Sequence, residues 1–369
     1  MAAVARKMKG TANMTQELTE VLHGFCLAGE VVACEPYGCG HINVTYLAVT
    51  DEEHRYILQK INHHTFRDVA GLMENIRSVT EFLRRKAEDP RSVMTLVPTI
   101  SGESYLSYAG EYWRVYDFVE GTVCLQQPEC DEDFYQSAVA FGGFQQMLSD
   151  FPAAKLHETI PHFHDTPVRY RNLHDVIGRD PVGRAKEVKD EIEFALSKEA
   201  EMGQIVRMLN AGELPLRVTH NDTKLNNVLL DEKTRTALCV IDLDTVMPGS
   251  SLYDFGDSIR FGAATAAEDE KDLSKMTVST ERFRAFTRGY VHACPDLTKN
   301  EIAMLAMGAK VMTMECGVRF LTDYLDGDHY FAVHRAGQNL DRARTQFRLV
   351  KEMERKWDEL ERIVREEAL

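Results

Sequence analysis

The feature that most constrains the fold is a change in hydrophobic patterning near residue 121. Before it, apolar residues alternate or form short runs, as in β-strands, and beyond it they recur mostly at helical spacing. The chain has 369 residues, which is enough for two domains of ordinary size. We therefore expect an α+β, bilobal fold. It has a small N-terminal antiparallel sheet lobe with one helix and a larger, mainly helical C-terminal lobe.

The two lobes are predicted to span 15–119 and 120–369. Strand patterns in the first lobe cover 31–34, 43–49, 55–61, 105–108 and 112–119. Helical patterns cover 66–86 in the first lobe, and 134–148, 185–209, 281–292, 301–325 and 342–367 in the second. One β island, 216–242, interrupts the helices. Residues 1–14 are basic and rich in small residues but have no apolar stretch, so we expect a flexible leader there.

The charge balance argues against several classes of partner. The sequence holds 43 Lys and Arg against 58 Asp and Glu, a net charge of −15, with no dense basic block. Nucleic-acid phosphates and anionic lipids repel such a chain, and no apolar run reaches the roughly 18 residues of a membrane span. The eight cysteines include no Cys-x-x-Cys pair, which indicates reduced thiols. We expect a cytoplasmic protein with a small-molecule partner; its oligomeric state is not fixed by the sequence.

The β island carries the most informative motif. His220, Asp222 and Asn227 match the pattern His-x-Asp-x-x-x-x-Asn of kinase catalytic loops. Phosphoryl transfer needs an oriented hydroxyl and neutralised phosphate charge more than covalent help. Asp222 is predicted to accept the proton of the attacking hydroxyl, and Asn227 to offer an amide oxygen to Mg²⁺, which prefers oxygen ligands. The alternative is a structural loop of Asn and Asp side chains that bond one another.

A predicted hairpin brings a second acidic group to Asn227. Strands at 228–230 and 237–241 flank a polar turn, and antiparallel pairing places the start of the first beside the end of the second. Asp242 is therefore expected beside Asn227 as the second Mg²⁺ ligand, with Asp244 on the same face two residues further on. Because Asp242 and Asp244 also form an Asp-x-Asp pair, an enzyme that forms an aspartyl-phosphate is an alternative.

Two further patterns allow more than one interpretation. Asp254-Phe255-Gly256 has the sequence of the protein-kinase magnesium motif, but it follows a Pro-Gly turn beyond the hairpin. We interpret it as packing or as the start of a helix. His162 and His164 have the spacing of a metal pair, yet no Cys or third His follows at ligand spacing. For these histidines we favour hydrogen bonding at the surface or in a substrate pocket.

A turn in the first lobe is the candidate for phosphate binding. Gly38 and Gly40 would let backbone N–H groups approach phosphate oxygens, with Asn43 where the kinase pattern has its third glycine. An ordinary hairpin turn is an equal alternative. The third strand offers a cation, Lys60, to the same phosphates, but strand alternation lets only one of Gln59 and Lys60 face them.

These motifs resemble the aminoglycoside phosphotransferase and choline kinase superfamily, which is protein-kinase-like, and more closely the bacterial N-acetylhexosamine 1-kinases. The likeness to the superfamily rests on 219–227 and 240–248. The closer likeness rests on runs spread from about residue 25 to the C-terminus, at 35–38, 40–43, 114–116, 162–167, 217–227, 253–262 and 314–320.

The resemblance implies a bilobal protein-kinase-like fold, ATP and Mg²⁺, and phosphorylation of the anomeric hydroxyl of GlcNAc or GalNAc. Asp222 becomes the base, and Asn227 and Asp242 become the metal ligands. The residues implied beside the sugar are Asp222, Asp244, Thr245, Arg319 and Tyr330.

For the nucleotide, the resemblance implies contacts from the first lobe. The turn that would cradle the phosphates contains Gly38, Gly40, His41 and Asn43. The linker from Tyr116 through Phe118 to Val119 would bind adenine through backbone groups. Relatives have Gln where this chain has Lys60, which leaves the role of Lys60 open, as well as the choice between Glu74 and Glu81 as its helical partner.

Two other functions are compatible with the same motifs. One is a kinase of this superfamily that acts on an aminoglycoside, an amino sugar or an amino alcohol. The other is a nucleotide-binding pseudoenzyme, which is disfavoured because all three catalytic positions are filled. The preference between GlcNAc and GalNAc is not fixed by the sequence.

Overall fold

A computed structural model describes residues 15–38 and 42–369, so the predicted leader, 1–14, lies outside the described residues. The helices are α1 (Gln16–Leu22), α2 (Val69–Arg84), α3 (Asp131–Met147), α4 (Thr166–Arg179), α5 (Lys189–Met202), α6 (Gln204–Asn210), α7 (Ser251–Gly262), α8 (Thr280–Ala293), α9 (Lys299–Ala303), α10 (Leu305–Asp326), α11 (Gln338–Arg355) and α12 (Trp357–Glu367). The strands are β1 (Val31–Pro36), β2 (Val44–Thr50), β3 (Arg55–Ile61), β4 (Leu96–Val97), β5 (Leu106–Tyr108), β6 (Glu111–Asp117), β7 (Thr122–Cys124), β8 (Arg217–Thr219), β9 (Val228–Asp231), β10 (Ala237–Val240) and β11 (Met247–Gly249). The predicted α+β class is confirmed, with an N-terminal antiparallel sheet and a larger helical part.

The chain divides into two compact units, one ending at Gly121 and the other beginning at Thr122. Within its described residues, the smaller unit contains a six-stranded antiparallel sheet in the order β1-β2-β3-β6-β4, with β5 also paired to β6. The predicted hairpin joins β2 to β3. One face of the sheet forms a core with α1 that includes Leu58 and Trp113.

The structure adds elements that periodicity did not reveal. Helix α1 precedes the sheet, in addition to the predicted helix α2, and it is too short for a periodic signal. The predicted helix 185–209 is interrupted at Gly203, and 342–367 is interrupted at Lys356. Helix α7 lies outside the predicted helical ranges, and the sequence indicates only packing or a helix start at 254–256. It is buried on almost every side, including its polar positions, so its burial does not follow the polarity of its sequence.

Helix α10 is the central helix of the larger unit. It is buried along most of its length and packs against α4, α5, α7 and α11. Its crossing with α7 is close, because a Cβ atom at Gly256 would lie 2.4 Å from the Gly308 carbonyl oxygen. Because glycine has no Cβ atom, the backbones of these two buried helices can come into direct contact.

Two short sheets complete the larger unit. Strands β10, β9 and β7 form one, and β8 pairs with β11 in the other. Arg217 at the start of β8 makes two bonds to the buried carboxylate of Glu301, at 2.5 and 2.8 Å. This bidentate pair fixes the strand that leads into the motif loop at 220–227. Among the described residues, no helix combines the length and apolarity needed to cross a membrane.

Candidate active site

Asp222 follows β8, and both of its carboxylate oxygens have protein partners. The Lys224 ammonium donates to Oδ1 at 2.7 Å. The Asn227 side-chain amide donates to Oδ2 at 3.1 Å and to the Asp222 carbonyl oxygen at 2.7 Å. The side chain of Asp222 is still 27% exposed. It is therefore an oriented hydrogen-bond acceptor that a substrate hydroxyl can reach, which is the requirement for a general base.

His220 is the buried support of this loop. Its Nδ1 accepts from the Asp222 backbone N–H at 3.3 Å, and its Nε2–H donates to the Ile241 carbonyl at 2.9 Å. The rings of Phe141 and Phe144 pack edge-on against the imidazole. These bonds assign the tautomer. The motif histidine therefore ties Asp222 to the residue that precedes Asp242.

The β9–β10 hairpin brings Asn227 and Asp242 to the same end. Val228 lies opposite Val240, and the Ile241 N–H donates to the Asn227 carbonyl at 2.9 Å. Asp242 follows with φ 61° and ψ 60°, a left-handed conformation that costs a non-glycine residue about 1–2 kcal/mol. Such strain persists only where the surrounding contacts enforce it, and it is frequent at functional sites.

Asp254 supports the same loop from α7. Its carboxylate accepts the backbone N–H groups of His220 and Asn221 at 2.9 and 2.7 Å, and the Gln145 amide at 2.8 Å. Burial raises its pKa above the ordinary value, although these donors act in the opposite direction. The Asp254-Phe255-Gly256 sequence thus lies at the start of a helix, as interpreted above, and its acidic group stabilises the backbone around Asp222.

Lys224 belongs to a series of alternating charges that runs from the partly exposed Asp222 to the buried pair of Asp257 and Arg260. Asp257 lies near it, accepts the Thr223 N–H at 3.1 Å and pairs with Arg260 at 2.8 Å. Burial lowers the pKa of Lys224, but the attraction of Asp222 and Asp257 outweighs burial and leaves the pKa above its ordinary value. Lys224 therefore remains a cation at neutral pH, in direct contact with Asp222.

The side-chain oxygen atoms at the end of the hairpin suit a magnesium ion. Because the Asn227 Nδ2 group is directed at Asp222, its Oδ1 is the amide atom left for another ligand. An amide oxygen and the Asp242 carboxylate are hard oxygen donors, and Mg²⁺ commonly takes one or two such groups together with waters and substrate phosphates. Among the residues that the structure describes, no three His, Cys, Asp or Glu side chains form a metal cluster.

Asp244 and Thr245 lie in the 3₁₀ turn that follows Asp242, and both are buried. Thr245 Oγ1 donates to the His220 carbonyl at 2.6 Å, and the Asn221 amide donates to the Thr245 carbonyl at 2.7 Å. These hydrogen bonds join the loop that contains Asp222 to the turn that contains Asp244 and Thr245.

Arg319 and Tyr330 form a second group in the larger unit. The Arg319 NH2 lies 3.4 Å from the Tyr330 hydroxyl. Its guanidinium carbon lies 5.3, 5.7 and 5.5 Å from the ring centroids of Phe163, Tyr330 and Phe331. No carboxylate among the described residues forms an ion pair with Arg319. A guanidinium among aromatic rings, next to a Tyr330 side chain that is largely exposed, is suited to bind ligand oxygens.

The glycine turn of the smaller unit is described only in part. Gly38 has φ 77°, a left-handed conformation that glycine adopts freely. Asn43 Oδ1 accepts the Asn62 backbone N–H at 3.0 Å, which ties the start of β2 to the end of β3. Gly40 and His41 lie outside the described residues. The phosphate-binding role of this turn stays a prediction.

The two candidates on β3 point to opposite faces, as strand alternation requires. Lys60 pairs with Glu111 at 2.9 Å on β6, not on the helix that follows, and it shares a face with Trp113. Gln59, on the other face, accepts two hydrogen bonds from Arg114, at 2.9 and 2.8 Å. The nucleotide role of Lys60 stays a prediction, and its ammonium already has a protein partner.

The predicted linker begins at the end of β6. Tyr116 is buried, whereas Phe118 is partly exposed and donates its N–H to the Arg55 carbonyl at 3.0 Å. The Phe118 ring contacts Tyr37 edge-on with centroids 6.0 Å apart. The linker through Val119 and the turn that contains Gly38 therefore lie close together within the smaller unit.

Sequence reasoning missed two charged residues of the site. Lys224 lies two positions after Asp222 in the same motif, so its contact with Asp222 could have been predicted from the motif. Asp257 lies on α7, and only the folding of that helix against the loop brings it to Thr223. No local pattern points to this contact.

The geometry agrees with a comparison of sequences. The profile of the family described as "Phosphotransferase enzyme family" matches residues 33–285. This chain belongs to that family. The matched range includes the loop of Asp222 and the hairpin that leads to Asp242, and it confirms the prediction of a phosphotransferase.

Solved structures share the fold of this phosphotransferase. An aminoglycoside phosphotransferase from Alicyclobacillus acidocaldarius matches with a TM-score of 0.63 and 14% identity, over 97% of this chain and 99% of that chain. A microcompartment-associated aminopropanol kinase matches with a TM-score of 0.59 and 16% identity, over 93% and 97%. An amicoumacin kinase, solved with AMP-PNP and Ca²⁺, matches with a TM-score of 0.55 and 15% identity, over 88% of both chains. At these identities the likeness shows the fold alone.

Proposed function

We propose that this phosphotransferase is an ATP-dependent kinase that phosphorylates the anomeric 1-hydroxyl of N-acetylhexosamines and releases the sugar 1-phosphate and ADP. The observation that carries the proposal is the Asp222 carboxylate, oriented by Lys224 and Asn227 yet open to a hydroxyl. Family membership supports the reaction type, and the AMP-PNP complex of the amicoumacin kinase supports a nucleoside triphosphate as donor. The hexosamine itself is supported by the sequence likeness described above.

The hydrogen-bond donors of Arg319 favour a neutral acceptor. Arg169 donates to the Phe163 carbonyl at 2.6 Å, and burial together with repulsion from Arg319 lowers the pKa of Arg169. The two guanidinium groups therefore lie within electrostatic range of each other. Glu315 and Asp165 offset the two guanidinium charges, but the Arg319 guanidinium has only N–H donors, so it can bind the hydroxyl and acetamido oxygens of a neutral sugar and offers no acceptor to an ammonium group.

In the proposed reaction, Asp222 orients the sugar 1-hydroxyl and takes its proton. The hydroxyl oxygen forms a bond to the γ-phosphorus, the bond to the β–γ bridging oxygen breaks, and ADP leaves. The Lys224 ammonium holds Asp222 and offsets the repulsion between its carboxylate and the anionic phosphoryl oxygens. A magnesium ion held by Asn227 and Asp242 would neutralise phosphate charge. Asp244, Thr245, Arg319 and Tyr330 are assigned to the sugar.

We assign the nucleotide contacts to the smaller unit on the same likeness. The assigned residues are Gly38, Gly40, His41, Asn43, Lys60 and the linker Tyr116–Val119. A cytoplasmic location is part of the proposal, and the free thiols of all seven described cysteines are compatible with it.

A second candidate is a kinase for an amino alcohol. It is supported by fold neighbours described as an aminopropanol kinase and as an ethanolamine kinase of Plasmodium vivax. The two candidates differ in the charge of the acceptor, and the Arg319 guanidinium, which has only N–H donors, favours the neutral one.

A coupled assay of ADP release tests the proposal on a panel of GlcNAc, GalNAc, glucosamine, kanamycin, ethanolamine and aminopropanol. We expect turnover with the two N-acetylated sugars and a sugar 1-phosphate resonance in the phosphorus NMR spectrum of the product. Turnover confined to the cationic acceptors would overturn the hexosamine assignment. ATP binding without turnover on any acceptor would favour the pseudoenzyme.

A further inference from the structure

Arg319 lacks the acidic partner that its helix offers. Glu315 precedes it by one turn of α10, the i,i+4 spacing at which Glu and Arg side chains normally pair. In the structure, Glu315 Oε1 instead accepts from His164 Nδ1–H at 2.7 Å, and Oε2 accepts from Thr166 Oγ1 at 2.5 Å. Each carboxylate oxygen thus has a buried donor, and Arg319 is left among aromatic rings.

The two donors are held rigidly. Thr166 is the first residue of α4, and Asp165 caps this helix by accepting the Val168 N–H at 3.2 Å. His164 is 9% exposed, and its ring packs against Phe163 and Tyr253 with centroids 4.5 and 5.1 Å away. A packed ring cannot turn away from its partner, so the donor at Nδ1 stays directed at Glu315.

The carboxylate of Glu315 is charged, because its burial is compensated. Burial raises its pKa, but the charge and hydrogen bond of His164 and the charge of Arg319 outweigh burial and hold the pKa below its ordinary value. Glu315 therefore attracts Arg319 while its two oxygens are engaged elsewhere. If either donor were lost, one oxygen of this buried carboxylate would be left without a hydrogen-bond partner. The nearest cation on α10 is the Arg319 guanidinium, one turn away.

We propose that His164 and Thr166 are positioning residues that occupy Glu315 and thereby keep the Arg319 guanidinium available to the oxygens of the acceptor. The inference rests on the proposed function, since it assigns Arg319 to the acceptor. It gives a role to the buried contact between His164 and a carboxylate. Loss of the donor at 164 lets Glu315 capture Arg319, which weakens acceptor binding and leaves the chemistry at Asp222 intact.

The first test measures the availability of Arg319 in the full chain without any ligand. Phenylglyoxal modifies accessible guanidinium groups, and peptide mass spectrometry gives the rate at Arg319. We expect His164→Leu to slow this rate by about tenfold, because the captured guanidinium forms a desolvated pair. His164→Asn keeps an N–H donor where Nδ1 lies, so it should label at the wild-type rate. Equal rates for the Leu and Asn variants would overturn the proposal.

The matched control is His162→Asn. His162 lies two residues away, is mostly exposed, and has a φ of 58° that Asn tolerates. It makes no contact with Glu315 and should change neither labelling nor kinetics. If His164→Leu fails to fold, as judged by its melting curve, Thr166→Val removes the second donor instead and is expected to slow labelling in the same direction.

The second test separates binding from chemistry. His164→Leu should raise KM for the acceptor about tenfold and leave kcat and KM for ATP within about twofold. Adding Glu315→Gln should restore the acceptor KM, because a neutral amide does not capture the guanidinium. Slower labelling with an unchanged acceptor KM would overturn the assignment of Arg319 to the acceptor. If the wild-type chain phosphorylates no hexosamine, the proposed function is refuted. The labelling experiment uses no substrate, so it would still test whether His164 and Thr166 keep Arg319 available.

Discussion

The two units hold their candidate residues in different ways. In the larger unit, Asp222 is fixed by side-chain donors and by a buried histidine, and the loop around it is fixed by the buried carboxylate of Asp254. In the smaller unit, Lys60 and Phe118 lie on strands or just after them, and backbone pairing sets their positions. Polar side chains thus preorganise the candidate catalytic residues of the larger unit, whereas backbone pairing positions the residues of the smaller unit that we assign to the nucleotide.

Two Arg–Glu pairs show the same contrast. Arg217 and Glu301 are almost fully buried, and Ser251 and Thr298 supply further donors to Glu301. Arg55 and Glu120 also pair through two atoms each, but both side chains are more than one-third exposed. A buried pair is costly to break from one side, whereas an exposed pair contributes little. The larger unit is therefore expected to be far more sensitive to loss of a single charge.

The strongest test of the contrast is Asp222→Asn. We expect kcat to fall by about 10³-fold, because general-base catalysis contributes roughly 10²–10⁴, while the melting temperature and ATP affinity stay close to wild type. ADP release and calorimetric ATP binding measure the two effects. Asp175→Asn, an exposed carboxylate on α4 that pairs with Arg179, is the matched control. Turnover within tenfold of wild type would remove Asp222 as the base.

Next in size is the loss of a buried charge at Glu301. Glu301→Gln leaves Arg217 without its carboxylate, and we expect the free energy of unfolding to fall by about 3 kcal/mol. Glu120→Gln in the smaller unit should cost less than about 1 kcal/mol. Urea titration followed by circular dichroism measures both. Comparable losses for the two variants would show that burial does not separate the two pairs.

Lys224→Met is expected to have a smaller effect on the reaction than loss of the base. Without the ammonium at 2.7 Å, the Asp222 carboxylate keeps only its hydrogen bond from Asn227 and loses its fixed orientation. A displacement of about 1 Å at a reacting group costs on the order of 10²-fold in rate, so kcat should fall by about this factor with little change in the acceptor KM. Lys233→Met, in the exposed β9–β10 turn, is the control. A rise in KM without a change in kcat would place Lys224 in binding rather than in chemistry.

These residues also show how far sequence reasoning reaches. The Asp222–Asn227 motif and the hairpin to Asp242 follow from local spacing, because a tight loop and strand alternation determine the geometry within a few residues. Five of the six strands of the N-terminal sheet were found for the same reason, whereas β4, with two residues, was not. The support of the site was not predictable in this way. The contacts of Asp254 and Asp257 with the loop, and of Glu315 with His164, join residues far apart in sequence. They exist only once α7 and α10 have packed, and no periodicity encodes them.

The smallest expected effect is at Lys60, and it tests whether the smaller unit supplies a phosphate cation. The ammonium of Lys60 is paired with Glu111 and lies beside Trp113, so its charge is already engaged within the smaller unit. We expect Lys60→Met to raise KM for ATP by less than about fivefold, the equivalent of one partly exposed ion pair. Arg67→Met, just before α2, serves as the surface control in the same assay. An increase of more than about 50-fold for Lys60→Met alone would mean that Lys60 leaves Glu111 for the phosphates. In that case both units would contribute charged side chains to catalysis, and the contrast between a side-chain site and a backbone site would no longer hold.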